Sequence, residues 1–148
     1  MKSAAQFTSG IKYNDPDMTN RTITVKPFCN TGDSENDNSN LAGRVVIPPF
    51  VDGDGNGYIS DDGTRFKVVG VSDFNGSGYA NSNLTAIVAP NTMTAFGVGA
   101  FSACTSLTSA IIPAAMTIGD WAFSYCTALV TISLPAVISI KTDAFAFC

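Results

Sequence analysis

Acidic and cysteine side chains are the groups in this sequence best suited to chemistry, because none of its 148 residues is a histidine. Without histidine the commonest general base is missing. No serine-nucleophile elbow and no phosphate-binding glycine loop takes its place. Adjacent carboxylates occur only at Asp61 and Asp62, in a turn where solvated charge explains them. The sequence therefore predicts that the protein is not an enzyme, since a hydrolase would need clustered carboxylates in an exposed pocket.

The segment at residues 52–60 has the residue spacing of the first nine positions of a calcium-binding loop. Oxygen-bearing side chains alternate along it, and a glycine at the sixth position permits the sharp turn that brings the oxygens together. The twelfth position is Gly63, which lacks the expected carboxylate, although two aspartates just before it could substitute. A plain hairpin turn is the alternative, because Asp-Gly and Asn-Gly steps favour such turns and the flanks resemble strands. We therefore expect either no cofactor or a calcium ion. The candidate calcium ligands are Asp52, Asp54, Asn56, Asp61 and Asp62.

Three of the four cysteines belong to a repeat that occupies the second half of the chain. A leucine, a proline, an alanine-phenylalanine pair and a cysteine recur in the same order every 22 to 23 residues. A fixed period of this length is typical of a solenoid, in which each copy forms one rung and the rungs stack. The recurring residues are Leu84, Leu107 and Leu129; Pro90, Pro113 and Pro135; Phe101, Phe123 and Phe145; and Cys104, Cys126 and Cys148.

Stacked rungs would place the three recurring cysteines above one another at a spacing of about 4.8 Å. Side chains in such a column point the same way rather than towards each other, and a linear column cannot surround zinc. A ladder of buried thiols is therefore preferred over a disulfide or a metal site, which remain the alternatives. Cys29 lies apart from this ladder.

Charge is concentrated in the first half of the chain. Seventeen of the twenty charged residues lie at or before Asp73, and the net charge is −4 with a pI near 4.4. The lack of a basic stripe argues against nucleic acid as a partner. No apolar run approaches the roughly 20 residues of a membrane helix, and the N-terminus lacks the apolar core of a secretory signal. The start at Met1 favours export by another route over a signal that has been removed.

The chain divides into three parts by composition. Residues 1–44 form a polar N-terminal arm with one short strand, at residues 21–28. Residues 45–83 form a β-rich cap with a degenerate first repeat, in which residues 69–74 align with residues 96–101. An atypical first repeat is expected, because a stack must shield its terminal apolar face from water. Residues 84–148 form the regular repeats.

Within a rung, apolar residues alternate with polar ones before each proline. This pattern places Leu107, Ala110 and Ile112 inward. Leu129, Ile132 and Leu134 take the same positions one rung later. The outward side chains form a nearly uncharged candidate binding face. The residues of this face are Thr85, Val88, Thr108, Ser109, Ile111, Val130, Thr131 and Ser133.

The sequence pattern of each copy resembles the BspA-type leucine-rich repeat. The resemblance rests on residues 104–113 and 118–126, where the Leu, Pro, Gly-x-x-Ala-Phe and Cys positions recur together. It covers residues 84–148 well and residues 66–83 loosely. It implies a mainly β fold: a short leucine-rich-repeat solenoid of three rungs behind a β-rich N-terminal cap. It also implies a surface-exposed adhesion or interaction protein of bacteria, some protists or viruses, without catalytic residues.

We therefore expect a structural and interaction protein displayed on a cell surface or a virus particle. Adhesion, or decoration of a phage capsid or fibre, would fit a surface-type repeat without a signal peptide. The alternative is a calcium-dependent binding module that uses the loop at residues 52–62. Expected partners are a protein or a glycan surface, without membrane insertion. The C-terminal rung is uncapped, so we expect either that a further copy or a larger assembly packs on it, or that the natural protein continues and this chain is a fragment. Trp121 and Tyr125 flank Phe123, so at least one ring should point outward, as a contact anchor or as an edge-of-core aromatic.

Overall fold

The computed structural model describes residues 11–14, 17, 19–26, 28, 38, 41–51, 66–73 and 81–148. Ten short strands run through these residues, and none of the described residues is helical. The strands are β1 Thr22–Val25, β2 Gly43–Val46, β3 Phe50–Val51, β4 Phe66–Val71, β5 Leu84–Val88, β6 Ala95–Phe96, β7 Ser109–Ile111, β8 Thr117–Ile118, β9 Thr131–Ser133 and β10 Ser139–Ile140.

The strands form two sheets, and from β4 onward the chain visits them in alternation. A six-stranded sheet has the order β1-β4-β6-β8-β10, with β3 also paired to β4, and a four-stranded sheet has the order β2-β5-β7-β9. Every pairing is parallel except that of β3 with β4. Each regular repeat therefore adds one strand to each sheet, which confirms the predicted β solenoid.

Side-chain alternation puts the core between the two sheets. Leu107, Ala110 and Ile112 are buried, whereas Ile111 is 48% exposed, as the alternation predicts. The corresponding residues of the last rung, Leu129 among them, are partly buried and pack against the same core. Inward residues occupy the same position in β5, β7 and β9, so each packs on its equivalent in the next rung and the apolar contacts continue along the stack.

A column of phenylalanine rings runs through this core. The ring centroids of Phe101 and Phe123 are 5.0 Å apart, and those of Phe123 and Phe145 are 5.4 Å apart, with interplanar angles of 10° and 5°. The predicted stacking of these three rings is confirmed. The column also has a fourth member that the repeat does not contain, since Phe28 stacks on Phe101 at 4.8 Å.

The alignment of the degenerate repeat is wrong by two residues. Residue 69 was expected beside Phe96, but the register pairs Val71 with Phe96 and Gly70 with Ala95. Gly70 is needed where the carbonyl of Ala95 comes close, because a Cβ at position 70 would collide with it. Val71 then fills the inward position with 3% exposure.

The strand predicted within residues 21–28 is present as β1, and β1 and β2 each extend one sheet. β1 lies within residues 21–28 and pairs with β4, and β2 pairs with β5. The division at residues 44 and 83 stays a prediction. The candidate calcium loop, Cys29 and Phe74 lie outside the described residues.

Candidate binding face

The outer side of the four-stranded sheet carries the residues predicted to bind. Hydrogen-bonded register aligns equivalent residues of β2, β5, β7 and β9, so their outward side chains form rows across the sheet. Adjacent strands lie about 4.8 Å apart, which sets the spacing within a row. One row is Arg44, Ala86, Ser109 and Thr131, and the next is Val46, Val88, Ile111 and Ser133.

A third row arises from an irregularity at the start of the strands. The carbonyl of Thr108 accepts hydrogen bonds from the N–H groups of both Val130 (3.0 Å) and Thr131 (3.2 Å). Two consecutive donors on one acceptor are typical of a β-bulge, which inserts a residue and redirects its side chain. The exposed residues Thr85, Thr108 and Val130 therefore lie on the same side of the sheet as the residues that follow them in the chain, which are Ala86, Ser109 and Thr131. Simple alternation cannot place two consecutive residues outward, and the bulge explains why they are.

All eight residues of the candidate binding face lie together on this one surface. Their exposure differs: Ile111 is 48% and Val130 82% exposed, whereas Val88 and Ser109 are half-buried. The hydroxyl group of Thr108 donates to the carbonyl of Thr85 at 3.0 Å, which fixes that side chain along the row. Arg44, at the β2 edge, is the one charged residue in the three rows. The surface thus combines aliphatic groups and hydroxyls on a nearly neutral sheet.

The cysteine ladder lies elsewhere and consists of free thiols. Cys104 and Cys126 are buried, and Cys148 is exposed on the last rung. The thiol of Cys126 donates to the carbonyl of Phe101 at 3.3 Å, and that of Cys148 donates to the carbonyl of Phe123 at 3.1 Å. Burial, with the nearby thiol of Cys148 as a second cause, raises the pKa of Cys126 to about 12. Cys104 and Cys126 are buried as the ladder interpretation predicts, whereas Cys148 is exposed. Burial also raises the pKa of Cys148, so the thiols of Cys126 and Cys148 are held neutral rather than activated.

Other sequence candidates do not add to a site in the described part of the chain. The five candidate calcium ligands lie outside it. Among the residues that the structure does describe, no three acidic or cysteine side chains converge as a metal site would require. The same residues include no helix of the length and apolarity needed to cross a membrane.

Exposed aromatic rings lie on the turns after β8 and β10, and the sequence reasoning found only those of the first turn. Trp121 and Tyr125 are 44% and 47% exposed, so the expectation of an outward aromatic is confirmed. Phe147, one repeat after Tyr125, is 65% exposed and stacks on it with ring centroids 4.6 Å apart. The spacing of 22 residues between positions 125 and 147 could have revealed this second column, because equivalent positions of a solenoid lie above one another.

The repeats that build both surfaces identify the family. A family model described as the BspA type leucine-rich repeat region (6 copies) matches residues 69–148, which is more than half of the chain. The chain belongs to the BspA-type leucine-rich repeat family. This matches the resemblance noted from the leucine, proline, phenylalanine and cysteine positions, and it places the two-sheet solenoid among leucine-rich repeat folds. No curated protein matches the chain in sequence.

Solved leucine-rich repeat structures share the fold of this family member. A leucine-rich repeat protein from Bacteroides ovatus is 26% identical with a TM-score of 0.66, over 96% of this chain and 32% of that one. A leucine rich cell surface protein from Faecalibacterium prausnitzii is 24% identical with a TM-score of 0.63, over 96% of this chain and 34% of that one. The leucine rich repeat protein of T. pallidum is 20% identical with a TM-score of 0.53, over 99% of this chain and 67% of that one. The chain thus spans about a third of the length of the first two proteins.

Proposed function

We propose that this BspA-type repeat chain is a non-enzymatic interaction module, which attaches to a protein or a glycan through the candidate binding face. The observation that carries the proposal is the alignment of exposed aliphatic and hydroxyl side chains into three rows on one sheet. A rigid sheet holds such side chains in fixed positions, so little conformational entropy is lost when a partner binds.

The chemistry of the face favours a neutral partner. Ile111 and Val130 are exposed apolar groups, and the hydroxyls of Thr131 and Ser133 lie beside them. Protein interfaces combine apolar centres with hydrogen-bonding groups and are depleted in charge at the core. A surface with a single charge at its edge gives little electrostatic attraction to anions. We therefore expect attachment to depend weakly on salt, unlike binding that is driven by charge.

We further propose that the chain is displayed at a cell surface and serves in adhesion. The support is the F. prausnitzii structure, which is that of a cell surface protein and shares this fold. Display on a virus particle, as a capsid or fibre decoration, and calcium-dependent binding through residues 52–62 stay predictions from the sequence.

Two matched arginine substitutions test the proposed face. Ile111 lies in β7 of the four-stranded sheet and is 48% exposed, and Met116 directly precedes β8 of the six-stranded sheet and is 45% exposed. Beads coated with the wild-type chain, Ile111→Arg or Met116→Arg would be tested for adhesion to surfaces carrying extracellular-matrix proteins. Melting temperatures of the three proteins would show that the variants are folded.

The proposal predicts that Ile111→Arg abolishes adhesion, because it introduces a charge at the centre of the face. Met116→Arg should leave adhesion unchanged, since its side chain lies at the other sheet. Equal loss in both variants, or adhesion that vanishes at high salt in the wild type, would contradict the proposal. Failure of the wild-type beads to adhere to any of these surfaces would contradict it as well.

A further inference from the structure

The outer turn of each rung contains two positions with left-handed backbone. One column of such positions consists of Gly99, Trp121 and Asp143, with φ of 61°, 59° and 51°. The second column consists of Ala103, Tyr125 and Phe147, with φ of 57°, 57° and 60°. The members of each column are 22 residues apart, so the turn has the same conformation in three successive rungs.

Large aromatic residues are unusual at such positions. Left-handed backbone is unfavourable for residues that carry a Cβ, and glycine adopts it most readily. Trp121 and Tyr125 nevertheless occupy it, and both rings are nearly half exposed rather than buried in the core. Backbone strain that brings no gain in burial points to a role for the side chains at the surface.

Tyr125 presents one ring face that no aromatic neighbour of its own column covers. Phe147 stacks on its other face, with ring centroids 4.6 Å apart and planes 19° apart. The uncovered face is therefore directed at the preceding rung, where the equivalent residue is Ala103 with a single methyl group. A ring belonging to a ligand could take the position that an aromatic residue at 103 would fill, and it would continue the stack at the same spacing. Gly99 likewise offers no side chain beneath Trp121.

The two exposed rings carry polar groups of their own, the hydroxyl of Tyr125 and the indole N–H of Trp121. Next to them in the sequence, Asp120 accepts a hydrogen bond from the N–H of Thr142 with one carboxylate oxygen at 2.8 Å, and the hydroxyl of Ser124 pairs with that of Ser102 at 2.9 Å. Rings that combine an apolar face with a polar group at the edge suit a ligand with apolar faces and a hydrogen-bonding rim. A pyranose ring has this distribution, whereas an aliphatic side chain has no rim that could use the polar groups.

We propose that the turn carrying Trp121 and Tyr125 binds a pyranose ring of a neutral oligosaccharide. The sugar stacks on the face of Tyr125 that is directed at Ala103, and Trp121 contacts it from the neighbouring column. This site is separate from the candidate binding face, because it lies on the turn that follows β8 rather than on the outer side of β5, β7 and β9. The inference does not depend on the proposed function, and either can fail without the other.

The only tryptophan of the chain reports directly on this site, because it is Trp121 itself. Its fluorescence would be followed while the full chain is titrated with cellotriose, mannotriose and triacetylchitotriose. We expect a saturable change with at least one of these probes. Tyr125→Ala should weaken binding at least about tenfold, as loss of an aromatic anchor does. Ala103→Phe should abolish it by filling the position with a ring, and it should fold because Phe147 occupies the equivalent left-handed position.

Two control variants separate this site from other causes. Ala136→Phe makes the same substitution at an exposed position between β9 and β10 and should leave the titration unchanged. Ile111→Arg, which disables the candidate binding face, should also leave it unchanged. The inference is overturned if none of the three saccharides gives a saturable change. It is equally overturned if Ala103→Phe binds as tightly as the wild type, or if only an apolar peptide probe gives a saturable change.

Discussion

Phe28 stacks on Phe101, with ring centroids 4.8 Å apart and an interplanar angle of 15°, although the two residues lie 73 positions apart in the chain. The backbone supports this contact, because the N–H of Phe28 donates to the carbonyl of Ala100 at 2.8 Å. The side-chain amide of the buried Asn81 also donates to the carbonyl of Phe28 at 3.1 Å. Phe28 therefore closes the N-terminal end of the phenylalanine column and shields Phe101 from water.

Removal of this ring should destabilise the whole solenoid. Phe28 is fully buried, so Phe28→Ala should lower the free energy of unfolding by about 3–5 kcal/mol. Phe147→Ala is the matched control, because it removes the same ring from a stacked pair that is exposed, and it should cost only about 1 kcal/mol. Urea unfolding followed by circular dichroism would measure both. Similar losses for the two variants would show that Phe28 does not seal the column.

Close approach of successive rungs should make Gly119 sensitive to any side chain. A Cβ at this position would lie 2.6 Å from the carbonyl carbon of Gly97, so the rungs would have to separate locally. Gly119→Ala should therefore cost more than about 2 kcal/mol, in the range of other overpacked sites. Gly43→Ala is the control, since a Cβ there meets nothing within 4 Å and only its left-handed backbone, with φ of 69°, opposes the change. It should cost about 1 kcal/mol. A larger loss for Gly43→Ala in urea unfolding would contradict the packing argument.

Side-chain capping between rungs gives a third prediction. An oxygen of Asp120 accepts a hydrogen bond from the N–H of Thr142 one rung later, at 2.8 Å, and Asp73 does the same for Val98 at 2.8 Å. Asp120→Ala leaves the amide without this partner and should lower the free energy of unfolding by about 1.5 kcal/mol. Asp120→Asn keeps an oxygen in the same place and should cost clearly less. Thermal melts of the two variants would compare them, and equal losses would mean that the negative charge rather than the acceptor matters.

The regular part of the fold could be predicted from the sequence because it repeats. Leu107, Phe101 and Phe123 recur with one period, and stacking of equivalent residues then follows from the geometry of parallel strands. The eight residues of the candidate binding face share a surface for the same reason. Family membership also followed, since the leucine, proline, phenylalanine and cysteine positions recur together.

Features set by single contacts could not be predicted in this way. Phe28 occurs outside the repeat, so no period links it to Phe101. The register of β4 against β6 depends on the close approach of Gly70 to the carbonyl of Ala95, and glycine alone does not indicate which of two registers is formed. The left-handed backbone of Trp121 and Tyr125 opposes the preference of these residue types, and the sequence hints at it only through Gly99, in the column of Trp121.

The cysteine ladder gives a prediction about alkaline pH. Burial raises the pKa of Cys126 from an ordinary value of 9.0 to about 12, because the thiolate would be poorly solvated in the core. A raised pKa in the folded state means that the folded chain holds the thiol proton more tightly than the unfolded chain does, so loss of this proton opposes folding. The contribution of this thiol to stability is thus fully present below pH 9.0 and is lost as the pH rises towards about 12.

We therefore expect the wild-type chain, under reducing conditions, to lose stability between about pH 9 and pH 12 more steeply than Cys126→Ala does. The difference in slope should approach about 1.4 kcal/mol per pH unit, which corresponds to one proton. Urea unfolding at several alkaline pH values would measure both slopes, and deprotonation of lysine and tyrosine affects both proteins alike. At neutral pH the variant should be the less stable protein, because it lacks the buried sulfur and its hydrogen bond to the carbonyl of Phe101. Parallel slopes would mean that the Cys126 thiol ionises as readily in the folded solenoid as in the unfolded chain, and its place among the stacked rungs would then have to be open to water.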